Sequence, residues 1–167
     1  IIDGGPCPVG VESTVLDLSS EKALILRPGG LSRSRIEACI GPVDQIDRTQ
    51  AQPSAPGQLA SHYAPRTPLY LYPRHALSDE APRKGEVFLF YDAASKDCWL
   101  ERFPEADAAA AMVLSEQGDS AEAAARLFAV LHDLDTRHFL CIRAERAPDE
   151  DLGPAINDRL YKARFQG

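Results

Sequence analysis

Glu86-Val87-Phe88-Leu89-Phe90-Tyr91 decides the fold class. A strand with one wet face alternates apolar and polar residues, and this stretch does not. A near-continuous apolar run of this length suits a strand covered on both faces, as in a parallel sheet flanked by helices. Reading outward, residues 68–72 and 139–143 are further strands, and 98–103 reads as a shorter one. Residues 107–117 are alanine-rich and read as a helix. Ser120 is placed to cap a longer helix, in which Ala124, Leu127, Phe128, Leu131 and Leu134 recur at helical spacing. Leu152, Ile156, Leu160 and Ala163 form the apolar stripe of a closing helix, with Asp158 and Lys162 one turn apart as an ion pair. Strands alternating with helices predict a doubly wound α/β domain over residues 69–167.

The region before it is organised differently. Residues 14–18 and 23–26 are short β-type runs around a polar turn, and Ser32 can cap a short helix carrying Ile36 and Ile40 that Gly41-Pro42 stops. So few elements cannot bury a core by themselves. The chain opens on Ile1-Ile2 without an initiator Met, so residues 1–44 read as the end of a longer domain. Residues 45–68 are polar and proline-rich, a linker by composition. Its second half, Pro56-Gly57-Gln58-Leu59-Ala60-Ser61-His62-Tyr63-Ala64-Pro65-Arg66-Thr67-Pro68, is too rich in proline for a helix interior or a central strand. It nevertheless carries an aromatic and basic cluster, which points to a stiff strap placed against something.

The 167 residues are 44% hydrophobic, which indicates a globular chain. No apolar run approaches the roughly 20 residues of a membrane span. A net charge of −7 argues against a primary nucleic-acid binder. Cys7, Cys39, Cys98 and Cys141 are widely spread, without the spacing of a zinc site, and read as buried free thiols of a cytoplasmic protein. Neither glycine-rich phosphate fingerprint occurs, so the sheet domain alone does not imply nucleotide binding.

Candidate binding groups lie upstream of that domain. Ser13 and Thr14 place two hydroxyls where a glycine-rich loop enters a strand. Arg27 ends an apolar run and is held extended by Pro28, so it can present paired donors to a phosphate; a solvated or ion-paired strand-end arginine is the plainer alternative. His62 and Tyr63 serve either as an aromatic anchor for the strap or as polar tips reaching a nucleotide. His75, His132 and His138 carry little signal. The acidic run Glu145, Asp149, Glu150 and Asp151 reads as a solvated loop, and Asn157, Asp158 and Arg159 as part of a helix covering the sheet.

Four segments, in this order, resemble the long-form L-threonylcarbamoyladenylate synthases. They are Asp3-Gly4-Gly5 leading to Gly10-Val11-Glu12-Ser13-Thr14-Val15, then Leu26-Arg27-Pro28-Gly29, then Pro56-Gly57 leading to His62-Tyr63-Ala64-Pro65, and finally Leu152-Gly153-Pro154-Ala155-Ile156-Asn157-Asp158-Arg159-Leu160. The resemblance implies the end of a twisted α/β catalytic domain (1–44), an interdomain linker (45–68) and a small Rossmann-like parallel-sheet domain (69–167). It implies that Ser13 contacts threonine or the threonylcarbamoyl group. Arg27, His62 and Tyr63 go to the nucleotide, the last two on a linker that covers the site. It implies L-threonine, bicarbonate and ATP as substrates, with Mg²⁺ held by nothing in this chain, and pyrophosphate as a product. The tRNA threonylcarbamoyl-transfer machinery is the implied partner. The family's phosphate-binding cations fall upstream of Ile1, so no catalytic residue or metal ligand is assigned here and the fragment is expected to be inactive alone. The alternative is that the C-terminal domain is an interaction or regulatory module governing linker closure or partner docking.

Overall fold

The strands are β1 (Val15–Asp17), β2 (Leu24–Arg27), β3 (Asp44–Gln45), β4 (Leu69–Tyr72), β5 (Glu86–Asp92), β6 (Ala111–Ser115) and β7 (Cys141–Glu145). The helices are α1 (Arg33–Ile40), α2 (Ala93–Arg102), α3 (Ser120–Thr136) and α4 (Gly153–Ala163), with short 3-10 turns at Ala76–Asp79 and Ala108–Ala110. The computed structural model describes residues 5, 8–46 and 64–164.

β4, β7, β5 and β6 lie side by side in that order, every neighbouring pair parallel. The apolar run that opened the sequence reading is β5, an inner strand, and its side chains divide between two cores as the pleat requires. Val87, Leu89 and Tyr91 pack with Leu127, Leu131 and Leu134 of α3 and Ile156 and Leu160 of α4. Phe88 and Phe90 pack on the other face with Leu77 and Trp99 of α2. The doubly wound expectation holds.

Two assignments made from the sequence are exchanged. The stretch read as a strand at 98–103 belongs to helix α2, and much of the stretch read as a helix at 107–117 is strand β6. In α2 the buried positions are Ser95 and Trp99, one helical turn apart, and Asp92 caps the helix by accepting from the Ser95 amide at 2.9 Å. A polar Ser95 at a buried position hid that period. In β6 the alanines favour helix intrinsically, but the edge of β5 offers a row of hydrogen bonds and a core for Val113 and Leu114. Tertiary context outweighs the weak propensity. Asp119, rather than Ser120, caps α3, accepting from the amides of Ala121 and Glu122.

The first block forms its own small sheet: β1 and β2 are an antiparallel hairpin, and β3 adds to β2 in parallel, so pairing runs on through Gln45. Ile25, Ile36 and Val43 make a minor core, while Ile40, expected beside Ile36, is half exposed. The chain enters the large sheet through Thr67, whose amide and hydroxyl both donate to Asp135 of α3 at 2.7 and 2.9 Å.

Trp99 is fully buried, with ring centroids 4.6 Å from Phe88 and 5.8 Å from Phe90, and its indole N–H donates to the Glu80 carbonyl at 2.8 Å. Trp99→Ala should therefore cost about 3–5 kcal/mol in urea unfolding followed by circular dichroism, and Trp99→Phe clearly less. A loss below about 1 kcal/mol for the alanine variant would show that this face carries little of the stability.

Candidate functional site

The antiparallel hairpin brings Ser13, just before β1, beside Arg27 at the end of β2. Arg27 is almost buried, and its Nε and Nη2 donate to the Ser13 carbonyl at 3.3 and 3.0 Å, with Nη2 also 3.4 Å from Ser13 Oγ. Ser13 is exposed. A solvent-facing hydroxyl thus sits against a guanidinium whose plane is set by a backbone oxygen. Arg27 is therefore not a solvated strand-end arginine. Thr14 has a different task from the ligand contact suggested by its sequence position. Its Oγ1 accepts from the Leu31 amide at 3.1 Å and donates to the Leu31 carbonyl at 2.7 Å, lacing the segment after β2 to the start of β1. Next to it the Gly30 amide donates to the Glu12 carbonyl at 2.9 Å. The two segments run so close that a Cβ at Gly29 would lie 2.3 Å from the Glu12 oxygen.

The same stretch is seated on the large domain. Gly10, at φ +69, passes so near α3 that a Cβ would fall 2.3 Å from the Ala124 oxygen, and Val11 enters the core between α3 and the sheet. Glu12 meets Arg159 of α4: Nε donates to its Oε2 at 2.8 Å, and Nη2 lies 2.6 Å from the same oxygen. Arg159 Nη1 donates to the Pro28 carbonyl at 2.9 Å and to Asp158 Oδ2 at 2.7 Å, and Lys162 Nζ donates to Asp158 Oδ2 at 2.6 Å. The Arg159 side chain has no solvent exposure at all. Asn157 ties the helix back to the loop after β7, exchanging hydrogen bonds with the amide and carbonyl of Ala147 at 2.8 and 2.9 Å. Asn157, Asp158 and Arg159 therefore do more than cover the sheet. α4 is buried on nearly every side because it lies between the sheet and the first block.

In doubly wound folds ligands collect at the carboxyl edge of the sheet, where helix N-termini receive phosphates. Here the protein's own carboxylates occupy those positions. Asp92 caps α2 and pairs with Arg74 at 2.5 Å, and Asp119 caps α3. Glu145, read from the sequence as part of a solvated loop, is buried at the end of β7. Its carboxylate accepts from the amides of His75 and Tyr91 at 2.7 and 3.0 Å and from the Ser95 hydroxyl at 3.2 Å. The adjoining cleft, about 220 Å³, is rimmed by Asp119, Glu150 and Asp151. A phosphate would meet negative charge here.

His62 and Tyr63 lie outside the described residues, as does Cys7. Cys141 is buried, as expected of it, but Cys39 and Cys98 are exposed, Cys98 on the outer face of α2. Among the described residues, no group of three or more His, Cys, Asp or Glu is placed to hold a metal ion, and no helix is long and apolar enough to cross a membrane.

Residues 31–164 match the model of the threonylcarbamoyl-AMP synthase C-terminal domain family. The chain belongs to this family. The threonylcarbamoyl-AMP synthase of Bacillus subtilis is 33% identical over 172 residues, and that of Pyrococcus abyssi 34% over 171; each match takes in 98% of this chain and 48% of the relative. The crystal structure of P. abyssi Sua5 complexed with L-threonine superposes with a TM-score of 0.71 at 29% identity, covering 96% of this chain and 48% of that one. A variant of that protein, with a His and the following Tyr both replaced by alanine, gives 0.67 at 26% identity over 96% and 47%. The chain spans about half the length of the curated relatives it matches. Those matches reach upstream of residue 31, beyond the threonylcarbamoyl-AMP synthase C-terminal domain model.

Burial pushes the Asp92 carboxyl up, but the Arg74 hydrogen bond, the Ser95 amide and the Arg74 charge outweigh it and hold the group below the usual aspartate value. A carboxylate with a depressed folded value contributes stability above its unfolded pKa, about 3.9, and loses it as pH falls through the folded value. Asp92→Asn should therefore lower the melting temperature at pH 7, and the gap to wild type should close as the pH is taken down from about 4 toward 2. A gap that stays constant across that range would remove the pair from the acid response.

Proposed function

We propose that this chain is the C-terminal part of an enzyme that forms L-threonylcarbamoyl-AMP from L-threonine, bicarbonate and ATP and releases pyrophosphate, supplying threonylcarbamoyladenosine formation in tRNA. The observation that carries the reading is the Ser13–Arg27 pair, an exposed hydroxyl beside a fixed guanidinium, in a chain of this family with a solved relative complexed with L-threonine. Ser13 donates to or accepts from threonine, and Arg27 faces a nucleotide phosphate. The threonine amine and bicarbonate condense with loss of water to a carbamate, whose oxygen attacks the α-phosphorus as the bond to pyrophosphate breaks. For such a step a protein supplies positioning and positive charge, which is what this pair offers. Mg²⁺ prefers oxygen ligands, several of them water or phosphate. Ser13 and Arg27 bring no carboxylate, so the ion, when bound, belongs with the ATP phosphates and sits on no ligand of this pair.

On this reading residues 1–44 close the catalytic domain, 45–68 are the linker and 69–167 the C-terminal domain. His62 and Tyr63 sit on the linker over the nucleotide. The P. abyssi variant also carries its substitutions at a His followed by a Tyr, which supports attention to this dipeptide. The carboxylates along the sheet edge favour a non-catalytic C-terminal domain, one that governs how the linker closes or docks the tRNA threonylcarbamoyl-transfer machinery.

Pyrophosphate release by the full-length protein tests the reading. It should require ATP, threonine and bicarbonate together, and the 167-residue chain should show none. Arg27→Lys keeps the charge but loses the planar fork, so the KM for ATP should rise about 10- to 150-fold, the equivalent of one charge-assisted hydrogen bond of roughly 1.5–3 kcal/mol. Lysine is the informative replacement because alanine would remove the charge together with the fork. No pyrophosphate from the full-length protein, or an unchanged KM in Arg27→Lys, would overturn the assignment.

A further inference from the structure

We propose that Arg159 is a positioning residue for the Ser13–Arg27 pair, so that the last helix of the sheet domain sets the geometry in which threonine and nucleotide are held. The proposal rests on the function just given and adds a role for the C-terminal domain in it.

Arg159 reaches Glu12 and Pro28, the immediate neighbours of Ser13 and Arg27. One planar fork thereby fixes the spacing between the two segments that carry the binding pair. Asp158, itself held by Lys162, clamps the fork from its own helix. The Gly30 amide, the close approach of Gly29 and the Thr14 hydroxyl then tie the two segments together, so a shift of Glu12 or Pro28 is passed on to Ser13 and Arg27.

A contact that had only to hold two domains together could be apolar. Val11 already provides such a contact, and apolar replacements for buried ion pairs are often neutral or stabilising. A guanidinium differs in direction: it stays charged at any accessible pH and binds its acceptors in a fixed plane. Buried without solvent, it is costly to leave short of a partner, and Glu12, Asp158 and the Pro28 carbonyl are three of those it has. Small displacements at a reacting centre cost rate steeply, up to about a hundredfold for 1 Å, so a device that fixes orientation here acts on affinity and turnover.

The test uses the full-length protein and compares wild type with Arg159→Lys, Glu12→Gln and the double variant. Trp99→Phe serves as a control that loses stability on the far face of the sheet. Threonine and ATP binding are read by calorimetry, kcat and KM by pyrophosphate release, and the folded state by circular dichroism and melting temperature. Glu12→Gln keeps an acceptor on a partly exposed side chain and folds even if Arg159→Lys does not. The expected result is that Glu12→Gln, folded at the assay temperature, raises KM for threonine and ATP by roughly tenfold or more, as misplacement of the binding pair would. The double variant should be no worse than the more damaged single one, because both break the same contact. Trp99→Phe should leave KM at the wild-type value. Folded Glu12→Gln protein with wild-type KM for both substrates, or KM changes that simply follow melting temperature and appear equally in Trp99→Phe, would overturn the proposal while leaving the function intact. Wild-type protein that binds neither substrate would overturn both.

Discussion

A guanidinium with no solvent exposure must find all its acceptors inside the protein, and that requirement at Arg159 governs how the two parts of this chain meet. Glu12 and Pro28 come from one part, and Asp158 and Lys162 from the other. Desolvating so many charges offsets much of their attraction, so the cluster adds little net stability over an apolar filling of the same shape, whereas losing one partner alone would cost roughly 3–5 kcal/mol. The consequence is register. These partners fix how the hairpin sits on α4, and Gly10 is a glycine because that seat brings its backbone against Ala124 of α3, whereas Gly29 serves a close approach within the first block, to the Glu12 carbonyl.

The sheet edge and the hairpin differ in charge, although Asp151 of the acidic loop lines a cleft with Thr14, Pro28 and Gly29. At the carboxyl edge of the large sheet, Asp92, Asp119 and Glu145 fill the helix caps and strand ends with the protein's own negative charge. At the hairpin, Arg27 and Ser13 present a cation and a hydroxyl. A doubly wound sheet is commonly read as a nucleotide platform, but a fold carries no activity by itself. On the function proposed above, the sheet domain is a support and the groups offered to a phosphate lie on the small block that it holds.

Much of this was legible in the sequence. The apolar run of β5 dictated a sheet covered on both faces, and the Asp158–Lys162 pair followed from helical spacing. Ser13 and Arg27 were named from their places at strand ends and from the resemblance, and the structure brings them into contact. What was not legible is instructive. α2 was hidden because one of its two buried positions is a serine, and β6 because alanines prefer helix until a neighbouring strand claims them. Glu145 looked like part of a solvated acidic loop because sequence shows charge without showing the amides of His75 and Tyr91 that wait for it. Arg159 belongs to one of the resembling segments and reads from the sequence as part of a helix covering the sheet, since its partner Glu12 lies far away in the chain. A carboxylate between Val11 and Ser13, in a segment otherwise apolar or small, was the available signal.

The central claim is that the hairpin and the sheet domain form one cooperative unit through this seam, and amide hydrogen exchange of the 167-residue chain tests it most directly. The Gly30 amide bonds to the Glu12 carbonyl and the Leu31 amide to the Thr14 hydroxyl, whereas the Ile142 amide bonds to the Pro68 carbonyl at the sheet. If the seam holds, Gly30 and Leu31 open only with the sheet and share the protection of Ile142. Exchange of both amides on the order of a hundredfold faster than Ile142 would show that the hairpin opens on its own, and would contradict the account.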